Sequence, residues 1–523
     1  MKKIKKLMVL FTLAIVFAFT QGQSISASSG TVGPGGATWT LDSNGVVTVG
    51  GGTIFNTWTA GSIQSPWHAH RDEVKKIVFT EPVTAQTELL GLFALLHNLE
   101  EIENAEYIDT NNVWNMNSMF IGTNKLTTVN VANWDTSNVT NMNQMFDGAH
   151  SLTYLDVTNW DTSKVNTMRS MFGNTRSLDG LNVTNWNTSN VTMMNYMFYN
   201  TESLTSLDVA NWNTSTVIRM EYMFSGTTEL TELNVSNWNT SNVTSMDGMF
   251  SGARSLIELD LSNWNVDSVT HMHWMFLRAS ALENLNLSGW NTSQTEFMNN
   301  MFGNTNLKVL TLGNDFVFGE NSNVSNNLAG QPIHVNLPNI PTKNGFTTDF
   351  TGNWQNVGNG TIANPQGNII LTSEELMSNF NGVAMADTFV WQRDASSLIP
   401  VTFHLHGGQN QTDFPQQNIV NGMFASAPAT QPTKEGYTFV GWFTHETGGG
   451  AFNFESTAIT QPTTVHARWQ PADEGEGAPV EDLETDDIAD LPTTGTENMF
   501  IVLITVISGL IASTLYYRIK EKY

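Results

Sequence analysis

The sequence runs to 523 residues, too long for a single compact core, and should divide into several modules. It has no cysteine, which excludes disulfides and thiolate metal sites. A formal charge of −26 with only 13% charged residues argues against a nucleic-acid partner, because phosphate binding needs clustered Lys and Arg.

In chain order, residues 1–27 form a secretory signal peptide. Lys2, Lys3, Lys5 and Lys6 precede an apolar run from Leu7 to Phe19, and small residues follow, with cleavage after Ser26 or Ala27. Residues 28–105 then make an N-terminal cap. Ala37 to Val49 and Lys75 to Thr80 have strand character, and Leu89 to Leu96 has the spacing of a helix. Ile108 stands in the Trp slot of an incomplete first repeat of the array that follows.

Residues 106–312 repeat with a period of 26. Trp recurs at 134, 160, 186, 212, 238, 264 and 290, and the pair Met-Phe recurs from 119–120 to 301–302. A period of that length belongs to leucine-rich solenoids. In the unit from Leu152 to Phe172, Leu155 and Val157 alternate with Tyr154 and Asp156, as in a short strand with one buried face. Val165, Met168, Met171 and Phe172 fall at i, i+3, i+6 and i+7, which predicts a helix of about two turns. Asp161, Thr162 and Ser163 between them are suited to cap that helix. Asn159, with Asn133, Asn185, Asn211, Asn237 and Asn263, is expected to bond the next rung's backbone; Gly289 breaks the series. Each rung buries about seven large apolar side chains at roughly 1.5–3 kcal/mol each, provided that neighbours cover both of its sides. The fold class expected is therefore an α/β solenoid of 26-residue strand-helix rungs with end caps. Leu307, Leu310 and Leu312 restart the strand, and residues 313–398 form the C-terminal cap, with Trp354 and Trp391 buried.

The unit Leu-x-x-Leu-Asp-Val-x-Asn-Trp-Asp-Thr-Ser-x-Val-x-x-Met-x-x-Met-Phe resembles the repeat of the BspA-like leucine-rich-repeat surface proteins. That resemblance implies adhesion to host matrix, to epithelial surfaces or to other bacteria. It does not imply which ligand, because the repeats set the scaffold and the variable slots choose the partner.

Residues 399–470 change character. Val401-Thr-Phe403-His-Leu405 alternates and ends at Gly407-Gly408, and Gly436-Tyr437, Gly441-Trp442 and Ala467-Arg468-Trp469 follow. This segment resembles the Listeria–Bacteroides repeat of internalin-like proteins, which implies a small β-grasp-like stalk module. Residues 471–490 hold acidic side chains from Asp473 to Asp490 and no basic one, the composition of an extended, disordered wall-spanning spacer.

Residues 491–523 combine Leu491-Pro492-Thr493-Thr494-Gly495, an uncharged run from Met499 to Tyr517, and the basic residues Arg518, Lys520 and Lys522. The run 499–517 is long enough for a transmembrane helix, with its basic flank cytoplasmic. The three parts in this order resemble the LPxTG sorting signal of Gram-positive surface proteins. The resemblance implies that sortase cuts between Thr494 and Gly495 and joins Thr494 covalently to peptidoglycan. The membrane would then hold the chain only transiently, before sorting.

For ligand binding, the slot of residue 144 points outward on a helical rung, and its copies hold Tyr196, Tyr222 and Trp274, aromatics of the kind that anchor interfaces. The outward strand face carries Tyr154, Asp156, Asp208, Glu232, Glu258 and Asp260, an acidic track suited to a basic partner. His271 and His273 read as surface residues, and His404 and His406 as a solvated strand face without a third ligand. Neither a metal nor a cofactor is expected. No catalytic motif is present, and no enzymatic activity is expected. The reading that results is a wall-anchored, extracellular adhesin of a Gram-positive bacterium, binding host or bacterial surface ligands through its solenoid. The alternative is a structural surface or biofilm protein without a specific host ligand.

Overall fold

The computed structural model describes residues 28–55, 65–318, 336–338, 340, 350–394 and 397–472. The signal expected at 1–27, the acidic spacer beyond residue 472, and the sorting segment 491–523 with its span 499–517 lie outside these residues. Among the described residues no helix is long and apolar enough to cross a membrane.

The chain opens with β1 (Ser28–Thr31), β2 (Thr38–Leu41), β3 (Val46–Val49), β4 (Gly52–Ile54), β5 (Lys76–Phe79), β6 (Val83–Ala85), β7 (Glu101–Glu103) and β8 (Ile108–Asp109). Alternation drives these strands: Trp39, Leu41, Val47, Val49, Ile77 and Phe79 are buried, while Thr38, Thr40 and Thr48 face out. β1, β2 and β3 are antiparallel, but β3, β5 and β7 stack in parallel, as do β4, β6 and β8. Rung-like parallel stacking therefore begins inside the segment expected as a cap.

From Glu88 a ladder of parallel bridges joins Asn115, Asn141, Thr167, Met193, Arg219, Ser245, His271 and Phe297. Short parallel strands mark other sides of the rungs: β9 (Tyr154–Leu155) with β10 (Gly180–Leu181), and β11 (Glu258–Asp260) with β12 (Asn284–Leu287) and β13 (Val309–Leu312). The architecture is a β-solenoid of 26-residue turns.

Identical side chains stack along its core. Phe120, Phe146, Phe172, Phe198, Phe224, Phe250, Phe276 and Phe302 follow one another at centroid distances of 5.0–5.8 Å. Trp160, Trp186, Trp212, Trp238 and Trp264 stack at 6.2–6.4 Å with planes within 2–3°. A buried indole needs a partner for its N–H. Here each Nε1 donates to a backbone carbonyl of the preceding rung, as Trp160 does to Val131 (3.0 Å) and Trp212 to Val183 (3.1 Å). Buried Thr136, Thr162, Thr188, Thr214 and Thr240 bond the following rung, their hydroxyls donating to the carbonyls of Asp161, Asn187, Asn213, Asn239 and Asn265 at 2.7–3.0 Å.

The strand-helix rung expected from the sequence is not formed. Where a helix was predicted, backbone donors bond alternately between rungs and within tight turns. Met142 N, Gln144 N and Phe146 N donate to Thr167 O, Arg169 O and Met171 O of the next rung, while Val139 N and Ala149 N close turns on Thr136 O and Phe146 O. Turns closed from i to i+3 return the chain to one side every three residues, so they imitate the apolar spacing of a helix. A left-handed residue then breaks helical continuation in every rung: Gln144 (φ 52°), Ser170 (53°), Tyr196 (61°), Tyr222 (54°), Gly248 (57°) and Trp274 (57°) occupy the same slot. Leu89 to Leu96 is not helical either, since it forms the first such turn, with Leu89 N, Phe93 N and Leu95 N donating to Asn115 O, Met119 O and Ile121 O. The side chains expected as helix caps make Asx turns instead, as in Asp161 Oδ1 accepting from Ser163 N at 2.9 Å. The asparagine ladder is also absent: Asn133, Asn159, Asn185, Asn211, Asn237 and Asn263 are exposed, and the Trp and Thr donors join the rungs.

The array closes on antiparallel pairing. β14 (Phe350–Asn356), β15 (Ile370–Leu371) and β16 (Asp387–Arg393) extend the last sheet in the order β11-β12-β13-β16-β14-β15, which covers the open edge of β13. Two short helices, α1 (Ser373–Asn379) and α2 (Gly382–Met385), lie in this segment, and α1 starts at a capping box between Thr372 and Glu375. Trp354 is fully buried, with Nε1 donating to Ser373 Oγ at 3.0 Å, while Trp391 is half-buried.

A second core belongs to β17 (Leu398–His404), β18 (Gln417–Val420), β19 (Tyr437–Phe443) and β20 (Thr463–Pro471), in the order β18-β17-β20-β19. β17 and β18 are antiparallel, and β17 and β20 are parallel. Val401, Phe403, Leu405, Ile419, Val465 and Ala467 are among its buried residues.

Candidate ligand-binding groove

The two surfaces expected from the sequence differ in structure. On the strand face Tyr154 is 57% exposed and lies over Gly180, and Glu232 and Glu258 are exposed. Asp156, Asp208 and Asp260 are committed locally, each accepting the backbone N–H two residues on at 3.1–3.3 Å. This face is an exposed acidic track whose aspartates serve the turns.

The aromatic slot is not the exposed ladder expected. Tyr196 and Tyr222 are half-buried and stacked at 5.0 Å, with Tyr199 edge-on to both. The ladder stops at Gly248. A Cβ there would lie 2.3 Å from Tyr222 Cε1, so the glycine leaves room for the tyrosine ring to lie across its backbone. Trp274, 39% exposed, stands apart on the next rung and packs against His273 at 5.3 Å.

Beside the tyrosine pair is an open groove of about 430 Å³, lined by Tyr196, Arg219, Glu221, Tyr222, Thr244, Ser245, Asp247, Thr270 and His271. Its charged residues come from the two slots that hold His273 and His271, which the sequence assigns to the surface. The slot of Asn143 and Asn195 becomes Glu221, Asp247 and His273 on three successive rungs, and that of Asn141 becomes Arg219 and His271. This departure from amides is a signal that the sequence held. His271, on the bridge ladder, and His273, in the turn that follows, were expected at the surface but are half-buried, their rings 6.5 Å apart and both packed on Phe297.

Glu221 is only 5% exposed; Oε1 pairs with Arg219 Nε, and Oε2 has no hydrogen-bond partner among the described residues. Asp247 keeps the structural bond of its slot, since Oδ1 accepts from His273 N at 2.7 Å just as Asn143 Oδ1 accepts from Arg169 N at 3.0 Å. Burial raises the pKa of Asp247 against the opposing His273 N–H and His273 charge, and burial lowers that of His273. Burial, then the charge of Asp247 and the neighbouring Tyr196, pushes Tyr222 up to about 12, so both tyrosines present neutral hydroxyls. The groove therefore offers desolvated carboxylates beside aromatic rings, which suits an ammonium or guanidinium group.

A consequence for stability follows from Asp247. Its folded pKa lies above its unfolded one, so the folded state binds more protons across that interval. Stability contributed by this residue is therefore lost as pH rises from the ordinary carboxylate value of about 4 through the folded pKa. Asp247→Asn keeps the Oδ1 acceptor and removes the charge. Its stability relative to the unmodified chain should rise across that window and hold at neutral pH, read from urea midpoints; a pH-independent difference would contradict the burial of this carboxylate.

A second cavity, of about 490 Å³, is lined largely by neutral amides including Gln355, Asn364, Gln366 and Gln417, with Trp391 and Arg393. His404 and His406, expected as a solvated strand face, stand beside His466 of β20, with one ring nitrogen of each within 4.8 Å of the others.

The family model described as "Mycoplasma protein of unknown function, DUF285" matches residues 87–208 and 201–312, the array from which the BspA-like resemblance was read. The Listeria-Bacteroides repeat domain matches residues 400–468, within the module expected at 399–470. No curated protein matches the chain. Among solved structures, a leucine-rich repeat protein from Eubacterium ventriosum is 13% identical with a TM-score of 0.24, over 54% of this chain and 96% of that one. A leucine rich cell surface protein from Faecalibacterium prausnitzii is 14% identical with a TM-score of 0.21, over 50% and 95%.

Proposed function

We propose that the chain is an adhesin of a Gram-positive cell surface, anchored by sortase through Thr494 to peptidoglycan, whose solenoid grips a basic protein surface of host or bacterial origin. The display half of this reading rests on the order of signal, acidic spacer, Leu491–Gly495, apolar run and basic tail in the sequence. The binding half rests on one observation above all: Glu221, nearly fully buried at the wall of an open groove, has an oxygen with no hydrogen-bond partner among the described residues. An unpaired buried acceptor costs about 1–3 kcal/mol, and an incoming Lys or Arg side chain would recover it. The net charge of −26 would steer such a partner in.

The test is binding of the purified chain to a panel of matrix proteins, glycans and bacterial cells. Saturable, salt-sensitive binding to a basic protein ligand is expected. The triple change Tyr196→Ala, Tyr222→Ala and Trp274→Ala should weaken it by about 30-fold or more, with the tyrosine pair accounting for most of the loss. Binding that survives the triple change moves the site off the groove. No saturable binding to any partner would favour a role in surface or biofilm architecture.

A further inference from the structure

We infer that His404, His406 and His466 form a site for one divalent late transition-metal ion, with zinc as the type case, that clips β17 to β20. The chain's own alternation builds it. Val401 and Phe403 point into the module's core, so alternation places His404 on the opposite face, and His406 follows in a left-handed turn (φ 47°) just past the end of β17. On β20, Val465 and Ala467 are buried and His466 lies between them. The parallel register sets His404 opposite His466, one step beyond Thr402 and Thr464, whose hydroxyls meet at 3.1 Å.

The three imidazoles converge, with one ring nitrogen of each within 4.8 Å of the others. His406 Nε2 and His466 Nδ1 are 2.8 Å apart, and the His404 and His406 ring centroids are 4.0 Å apart. Two nitrogens on a tetrahedral zinc ion sit about 3.3 Å apart at bond lengths near 2.05 Å, so a small rotation of the rings admits the ion. The far side of His406 is already arranged for ligation, with Nδ1 3.0 Å from Glu446 Oε1. A carboxylate accepting the other ring N–H fixes the tautomer that leaves Nε2 free for a metal. Lys434 is occupied elsewhere, donating to the His406 carbonyl at 2.9 Å and lying over Trp469. Three imidazoles suit zinc, copper or nickel, whereas magnesium and calcium take oxygen ligands.

The test is isothermal titration of zinc chloride into the untagged chain, with thermal unfolding followed in parallel. One zinc ion per chain should bind at this site and raise the melting temperature, and magnesium and calcium should not substitute. His466→Asn should weaken zinc binding by about 100-fold, and Glu446→Gln by about tenfold through its hold on His406. His271→Asn, in the solenoid groove, should leave zinc binding unchanged. These side chains lie outside the module's core, so the variants should fold, and apo melting curves verify that. Equal zinc affinity and stoichiometry in the unmodified chain and His466→Asn would overturn the inference, as would absence of zinc binding to the folded chain.

Discussion

Trp212→Ala is expected to destabilise the solenoid by about 3–5 kcal/mol, the range for emptying a buried tryptophan site. Trp212 is 3% exposed and stacks on Trp186 and Trp238, each at 6.3 Å. Truncation removes both stacks and leaves the Val183 carbonyl without the Nε1 donor that reaches it at 3.1 Å. A rung touches only its neighbours, so no distant part of the array can make up the loss. The neighbouring Asn211 supplies the control. It is exposed, so Asn211→Ala should stay within about 0.5 kcal/mol, although a leucine-rich-repeat amide ladder would make it costly. Urea denaturation of both variants separates the two accounts. A large loss at Asn211 with a small one at Trp212 would contradict the bonding scheme of the rungs.

Deletion of Leu491–Gly495 is expected to remove nearly all of the chain from the wall fraction. In the proposed reading sortase needs these recognition residues to form the bond at Thr494, so the deletion would remove that route of covalent attachment. The apolar run 499–517 and the basic residues after it would then hold the chain in the membrane. Cell fractionation with wall-digesting enzyme reads this directly. The unmodified chain should be released with peptidoglycan fragments and the deletion should partition with membranes. Equal release of both would remove the anchoring half of the proposal.

Much of this fold was legible as period rather than as secondary structure. The 26-residue spacing of Trp and Met-Phe gave the solenoid and its buried ladder. It could not give the rung's conformation, because Val139, Met142 and Met145 recur every third residue in tight turns as well as along a helix. The decisive feature is the left-handed slot, and Gln144, Ser170 and Tyr196 do not advertise it as a glycine would. The aromatic slot is only partly legible: Tyr196 and Tyr222 border a groove, but half-buried and stacked on each other instead of exposed. Glu221 escaped notice because its burial depends on the neighbouring rungs. The histidine cluster was half visible, in His404 and His406. The parallel pairing that brings His466 to them joins strands some 60 residues apart, and local pattern carries no such register.

The most direct test of the central claim is the affinity of Glu221→Gln for the basic ligand that the unmodified chain binds. The variant keeps the side chain's size and removes the charge, while Arg219, half exposed, stays solvated. Stability should hold or rise, because a desolvated carboxylate is costly to bury. Binding should fall by about tenfold or more, the scale of losing a charge-assisted hydrogen bond. Unchanged affinity and unchanged salt dependence would place the ligand elsewhere on the molecule and contradict the groove as its site.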